Sequence, residues 1–451
     1  MQLRTVKHSF VLFLSFLIIT EFFLTNDPCA MPPVLKTTLS NQLVILHSED
    51  HSLPFVTIEL FIDGGSRKDP SGEEGLASLT SDGLLLGTSV HSLAQINEET
   101  DFMGASLSSS SSRDFSTLNL RVLRKDLDKA LDLFMEVLTQ PVFPDKEIER
   151  EKQKTLAALQ AEEDQPEDVA EKAFQRALFL SSPYAHPVSG TKESIPKITR
   201  ETILKFHRTW YHPNNFIVSV VGDINADEVK QKIASRFEKM QSSDIPNQPF
   251  NAAFAKGPET IRINRNITQA NIIIGNEGIS RDNPDYYAVS VMNYILGGGG
   301  FASRMLEEIR NKRGLAYSVT SFFDAGKYPG SFQIVLQTKN QSAREAIDIA
   351  LQQMELIRKE PVSDKELEGA KKYLIGSFPM RIDTQAKLST FLLLSQYYGL
   401  GMDYPEKYPL LIQSVTKEDV IRVAKKYLHP ENALFVIVGN LEETGITIPE
   451  H

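Results

Sequence analysis

The sequence holds one cysteine, Cys29, and it falls within the first thirty residues. Without that segment the chain carries no thiol, so its fold can rest on no disulfide. That is compatible with an oxidising compartment but does not require one. A basic excess is also missing: 48 Lys and Arg stand against 58 Asp and Glu, a net charge of -10. This argues against nucleic acid as a partner, because phosphate binding needs a basic footprint. Nor is there a comfortable membrane span. The run Phe10 to Ile19, broken by Ser15 and followed by Glu21, is too short for one. With Arg4, Lys7 and His8 before it and the small residues Cys29 and Ala30 after it, the run suits a signal-peptide core. Residues 1–30 therefore read as a signal peptide. If the apolar stretch continues through Phe22, Phe23 and Leu24, they read instead as an uncleaved N-terminal anchor. The expected location is exported, in the periplasm or anchored facing it.

At 451 residues, with 41% hydrophobic and 24% charged, the rest is a globular chain too long for one ordinary core. An internal repeat says how it divides. The segment Ile198-Thr-Arg-Glu-Thr-Ile-Leu-Lys-Phe-His-Arg-Thr-Trp-Tyr-His-Pro-Asn-Asn resembles Val415-Thr-Lys-Glu-Asp-Val-Ile-Arg-Val-Ala-Lys-Lys-Tyr-Leu-His-Pro-Glu-Asn. Each runs into an apolar strand ending in glycine, so that His212 matches His429 and Gly222 matches Gly439 at one offset. Ser66-Arg67 before Pro70 echoes Ser280-Arg281 before Pro284, and Asp145-Lys146-Glu147 echoes Asp364-Lys365-Glu366. Two homologous domains follow, 34–240 and 259–446, joined by a linker over 241–258 that begins with a polar, proline-bearing stretch. Within them Val56 to Ile62 reads as a strand, and Leu127 to Leu138 and Glu147 to Glu163 read as helices. The class is α+β, a sheet with helices packed on it, built twice. The repeated His-Pro steps at 212 and 429 read as helix ends and turns rather than metal ligands.

The stretch from Gly64 to Thr88 contains Gly-Ser-Arg-x-x-Pro followed by Gly75-Leu76-Ala77. It resembles the signature region of the pitrilysin, insulinase and mitochondrial processing peptidase family, the inverted zincins. Further matches follow in family order: Asp101 to Leu107, Ser182 to Thr191, Leu296 to Met305 with its glycine run, and Arg313-Gly-Leu-Ala-Tyr317. The resemblance implies the pitrilysin-like, LuxS-type fold and a clamshell dimer. In the family, the helix after Gly-x-Ala carries H-x-x-E-H: two histidines on one helix face bind Zn²⁺ and the glutamate acts as general base. A glutamate from a later helix is the third ligand. Here Ser78 and Asp82 stand at the histidine positions, Ser81 at the general base, and Ala158 (or Ala157, one residue back) at the third ligand. Hydroxyl, methyl and a lone carboxylate do not make a zinc site. No metal and no catalytic residue is expected in this chain.

His47-Ser-Glu-Asp-His51 mimics a zincin motif, but it lies between strand-like segments and reads as a solvated hairpin end. What survives of the family pattern is in the second half. By resemblance, Arg313 and Tyr317 face the chamber and hold the substrate backbone, with guanidinium and phenol donors for peptide carbonyls. The expected function is that of a non-catalytic subunit binding peptide and complementing a zinc-bearing partner of the same family. Two alternatives stand beside it. One is an active metallopeptidase with its metal moved onto Glu73, Glu74, Glu162 or Glu163. The other is a purely structural subunit like the respiratory-complex core proteins.

Overall fold

A computed structural model describes residues 31–250 and 253–446, so the segment read as signal peptide or anchor lies outside the described residues. Among the described residues no helix is long and apolar enough to cross a membrane. The first half forms a six-stranded sheet from β1 (Leu35–Thr38), β2 (Val44–Glu49), β3 (Phe55–Ile62), β4 (Ser106–Ser111), β5 (Ser116–Leu123) and β6 (Phe216–Gly222). Their order is β1-β2-β6-β3-β5-β4. The second half forms a five-stranded sheet from β7 (Glu259–Asn264), β8 (Gln269–Glu277), β9 (Ala316–Phe323), β10 (Ser331–Lys339) and β11 (Leu434–Gly439), in the order β7-β11-β8-β10-β9. The strands that follow the two His-Pro segments hold matching places. β6 runs parallel to β2 and antiparallel to β3, and β11 runs parallel to β7 and antiparallel to β8. The repeat in sequence is a repeat in topology.

The helices of the first half are α1 (Leu76–Gly83), α2 (Leu93–Phe102), α3 (Leu127–Thr139), α4 (Asp145–Glu162), α5 (Pro166–Phe179) and α6 (Arg200–Trp210). Those of the second are α7 (Tyr286–Asn293), α8 (Ala343–Lys359), α9 (Asp364–Ser377), α10 (Gln385–Tyr397), α11 (Tyr404–Gln413) and α12 (Lys417–Tyr427). The repeated helices α6 and α12 start alike: Thr199 and Thr416 accept from the N3 amides of Thr202 and Asp419, each in a capping box. They also end alike. His212 donates from Nε2 to the Arg208 carbonyl at 2.7 Å, and His429 donates to that of Lys426 at 3.0 Å. The His-Pro pairs thus tie off helix ends.

Alternation along the strands gives each sheet two faces. Val56, Ile58, Leu60 and Ile62 of β3 join Leu118, Leu120, Val122, Val218 and Val220 in the core beneath the first half's own helices. The other face is covered by the other half. α10, from the second half, packs on β6 and β3, where Leu388 and Leu392 meet Leu46 and Val221. α5, from the first half, packs on β11 and β8, with Ala170, Phe174 and Leu178 against Ile273, Val436 and Val438. Each half lends a helix to the other's sheet.

A buried polar knot closes the same boundary. Arg67 pairs with Asp63, and its Nε stands 3.4 Å from Asp114 without hydrogen-bond alignment. Asp114 also accepts from the Tyr184 hydroxyl at 2.5 Å and from the Lys327 amide at 3.1 Å. Tyr397 of α10 donates to Asp63 at 3.0 Å, and Lys327 Nζ adds a contact at 3.3 Å. The cations beside Asp63 hold its carboxyl below the usual range despite burial. The connecting stretch carries aromatic anchors: Phe250 stacks on Tyr328 with centroids 4.0 Å apart, and Phe254 packs on Phe179 at 5.3 Å.

The hairpin expected at His47 to His51 is not formed, because β6 lies between β2 and β3. His47 is buried rather than solvated and donates to the Ile224 carbonyl at 2.9 Å. His51 is exposed and sits between Asp223 and Glu49, at 2.5 and 2.6 Å. The two rings have separate partners.

Candidate functional site

α1 begins at Gly75, whose φ of 96° and crowded surroundings exclude a side chain: a Cβ there would stand 2.9 Å from the Ser189 carbonyl oxygen. Asp69 accepts from the amides of Gly75 and Ala77 at 2.8 and 2.7 Å, satisfying the free donors of the helix start. The Gly-x-Ala turn is therefore intact, and it delivers Ser78, Ser81 and Asp82 on α1 beside β4. Ser81 is fully buried, with its hydroxyl 2.6 Å from that of Ser109 on β4. It is spent on packing the helix to the strand. Ser78 and Asp82, four residues apart, share a face of the helix.

The charged neighbours of Asp82 come from α4. Burial first, and then Glu151, push its carboxyl up to about 6, while Lys154 and the Ser78 hydroxyl pull the other way. Lys154 is paired with Glu151 at 2.8 Å. Ala158 follows one turn after Lys154 on the same helix face and presents an exposed methyl group. Zinc, which the family resemblance implies for this place, does not fit these residues. They offer one partly protonated carboxylate, a hydroxyl and an ammonium where the metal needs imidazole and carboxylate ligands. Three of the four carboxylates considered as replacements have partners of their own. Glu74 accepts from the Gly72 amide at 2.8 Å, Glu162 pairs with Lys172 at 2.5 Å, and Glu163 pairs with Lys192 at 2.6 Å. Among the described residues no three His, Cys, Asp or Glu side chains converge as a metal site.

In the second half the glycine run lets a helical segment lie against β9. A Cβ on Gly297 would come within 2.5 Å of the Ser321 hydroxyl and 2.8 Å of its amide. The ladder between β9 and β10 slips at Gln337/Thr338, opposite Tyr317. That bulge turns Tyr317 outward, and it is 73% exposed on an edge strand. Arg313 is placed differently. Its Nη1 donates to the carbonyl and the carboxylate of Glu308, at 2.8 and 2.6 Å, and so it is folded back on its own segment. The guanidinium beside Tyr317 belongs to Arg310, set between the Phe301 ring at 5.3 Å and the Tyr317 ring at 5.6 Å. Neither Arg310 nor Phe301, which is 74% exposed, was singled out in the sequence. A bare phenylalanine at the end of the glycine run was the available signal for this pair.

The outer edges of β4 and β9 are the strand edges nearest these two sites, and each strand is last in its sheet. Their ends are bound together across the halves by Arg113 and Asp324 at 2.7 Å. The arrangement offers unpaired main-chain donors and acceptors on β4, next to an altered metal pocket. Exposed aromatic rings and a stacked guanidinium flank β9.

Comparison with known proteins places these features. A family model described as "Insulinase (Peptidase family M16)" matches residues 44–192, and one described as "Peptidase M16 inactive domain" matches residues 197–374. An uncharacterized zinc protease of Streptomyces coelicolor is 27% identical over 413 residues, covering 90% of this chain and 89% of that protein. The "non-peptidase homolog YmxG" of Helicobacter pylori is 26% identical over 397 residues, covering 88% and 91%. Among solved structures, a peptidase M16 inactive domain from Pseudomonas fluorescens superposes with a TM-score of 0.84 at 29% identity, covering 90% of this chain and 98% of that one. A protease from Helicobacter pylori superposes with a TM-score of 0.83 at 20% identity, covering 90% and 100%.

Proposed function

The chain belongs to the M16 (insulinase) peptidase family, and from that premise we propose that it is a non-catalytic, peptide-binding subunit. It completes a zinc-bearing partner of the same family in a clamshell dimer. The observation that carries this reading is an asymmetry between the two halves. All four positions of the zinc-and-base set are replaced, by Ser78, Ser81, Asp82 and Ala158, and Lys154 stands among them. Tyr317 and its neighbouring guanidinium remain exposed on the second sheet's edge. A chain that had lost every role would have no need to keep aromatic rings bare on that edge.

In this role the partner supplies the metal and the hydrolysis. This chain's residues bind and orient. The free edge of β4 pairs with an extended stretch of substrate, and Tyr317 with Arg310 donates to its carbonyls. Arg313, held on Glu308, either braces that loop or swings out to join them. The subunit is expected to act in the periplasm, after export by residues 1–30. The test is a mixture of this chain with a zinc-bearing member of the same family. Peptide cleavage should require both chains and fall roughly tenfold to a hundredfold with Arg310→Ala, in the range seen for lost charge-stabilising donors. Arg313→Ala, assayed in parallel, separates the two arginines. Full activity in the double variant, or cleavage by this chain alone with stoichiometric zinc, would refute the proposal.

A further inference from the structure

Between the segment that follows the glycine run, α8 and the first turns of α9 lies a cleft of about 860 Å³, a size usual for small-molecule sites. Gln353 of α8 lines it and is only 6% exposed. Buried glutamines elsewhere bond through their amides: Gln175 to Glu171, Gln333 to Ser331 and Gln385 to the Asp50 carbonyl. Gln353 has no such partner among the described residues, and its polar atoms are not sealed in but reach the cleft. A buried carboxamide without a partner carries a cost that a packed core avoids. The repeat shows what the first half does at the same places. The buried positions of α3 and α8 run in register, Leu127, Ala130 and Leu131 with Ala343, Ala346 and Ile347, which sets Gln353 where α3 buries Val137. Counting from the shared Asp-Lys-Glu start, Gly369 of α9 stands where α4 carries Arg150. A side chain on Gly369 would meet nothing within 4 Å, and glycine inside a helix weakens it. The second half has put an amide in place of a core residue and cleared a long side chain from the same cleft.

The ionised groups around the cleft are matched. Arg304 is clamped on Glu366 at 2.6 and 3.1 Å, and Arg313 on Glu308 at 2.6 Å. Glu307 accepts from Asn311 at 2.8 Å, and the exposed Glu360 and Lys365 carry opposite signs. Ile295, Leu356 and Ala370 supply apolar wall. We propose that this cleft is a binding site for a small uncharged amide with an apolar body, about the size of a capped amino acid. An amide offers a carbonyl and an N–H side by side, the complement that meets both halves of the Gln353 carboxamide. A carboxylate would find both guanidiniums taken, and an ammonium, having no acceptor, would leave the Gln353 N–H donors unmet. The inference goes beyond the peptide-binding role and does not depend on it.

The experiment uses the full chain and ligand-observed NMR titration at neutral pH. The probe is N-acetylphenylalaninamide, with N-acetylphenylalanine and phenylalaninamide as its anionic and cationic analogues. The amide should bind with a dissociation constant on the order of a millimolar, as suits its size, and each charged analogue at least about fivefold more weakly. Gln353→Leu should weaken the amide about tenfold by removing two hydrogen bonds. It should nevertheless melt no lower than the wild type, because hydrocarbon replaces an unpaired buried amide. Gly369→Arg, which restores the first half's residue at an exposed helix position, should also weaken binding about tenfold by filling the cleft. Failure of the amide to bind, tighter binding of either charged analogue, or unchanged affinity in either variant would overturn the inference. So would a lower Tm for Gln353→Leu, which would mean that the carboxamide already has a partner within the fold.

Discussion

Asp114 offers the sharpest test of how the two halves are held. It is 6% exposed and serves three groups from three places: the Tyr184 hydroxyl, the Lys327 amide and the Arg67 guanidinium. Asp114→Ala strands all three. Two neutral donors left unsatisfied cost about 1–3 kcal/mol each, and a buried cation losing one of its two carboxylates adds to that. Asp63 still compensates Arg67, so the lower end of the range applies, and the total is about 4 kcal/mol. Asp114→Asn keeps an acceptor for Tyr184 and should cost about half as much. The unfolding entropy of about 2.1 cal/mol/K per residue, over roughly 400 residues, converts 4 kcal/mol into a fall in Tm of roughly 5 °C. Calorimetry or thermal circular dichroism reads this directly. The transition should stay single, because the knot and the exchanged helices couple the halves. A shift below about 1 °C for Asp114→Ala would refute the reasoning, as would two separate transitions in the wild-type protein.

Asp82 makes an opposite prediction. Its carboxyl is raised in the folded state to about 6 from 3.8, so the folded chain holds the proton more tightly and loses stability as pH rises between those values. Asp82→Asn should therefore be the more stable protein at pH 7.5, by about 3 kcal/mol, and should approach the wild type near pH 4. Urea titrations at the two pH values check the sign, and a less stable variant at pH 7.5 would contradict it. The register of the altered metal pocket can be tested by restoring it. The combination S78H, S81E, D82H and A158E, with Lys154→Ala to remove the competing ammonium, should bind one Zn²⁺ by calorimetry and gain thermal stability from it. If A157E succeeds where A158E fails, the helix position assigned here is off by one residue.

Much of the architecture was legible because it is written twice. Thr199 and Thr416 open their helices, Pro213 and Pro430 close them, and the strands that follow take equivalent ladders. The pocket was legible from Gly75 and Ala77, since a turn that excludes a side chain sets where the next helix faces. The covering of the sheets was not. α5 and α10 are both helices with apolar residues to bury, and nothing in either says that its apolar side belongs to the other half's sheet. The two Ser-Arg turns show a similar limit. Both arginines are buried, Arg67 in the charged knot and Arg281 between tyrosines, with its guanidinium 3.7 Å from the Tyr286 ring. Local sequence marks the turn but not the partners, which lie far along the chain. Tyr317 was found by motif, yet its outward aim comes from a strand slip that spacing alone does not disclose.

The helix lent by the second half also orders events in time. Residues 385–397 leave the ribosome well after the strands formed by residues 44–62 and 216–222, which they cover. Until they arrive, the first sheet presents a bare, partly apolar surface, a state prone to wrong association. A nascent chain therefore needs shielding until residue 397 has been made. A message cut short anywhere before residue 385 would yield a sticky fragment fit only for degradation, not a smaller working unit.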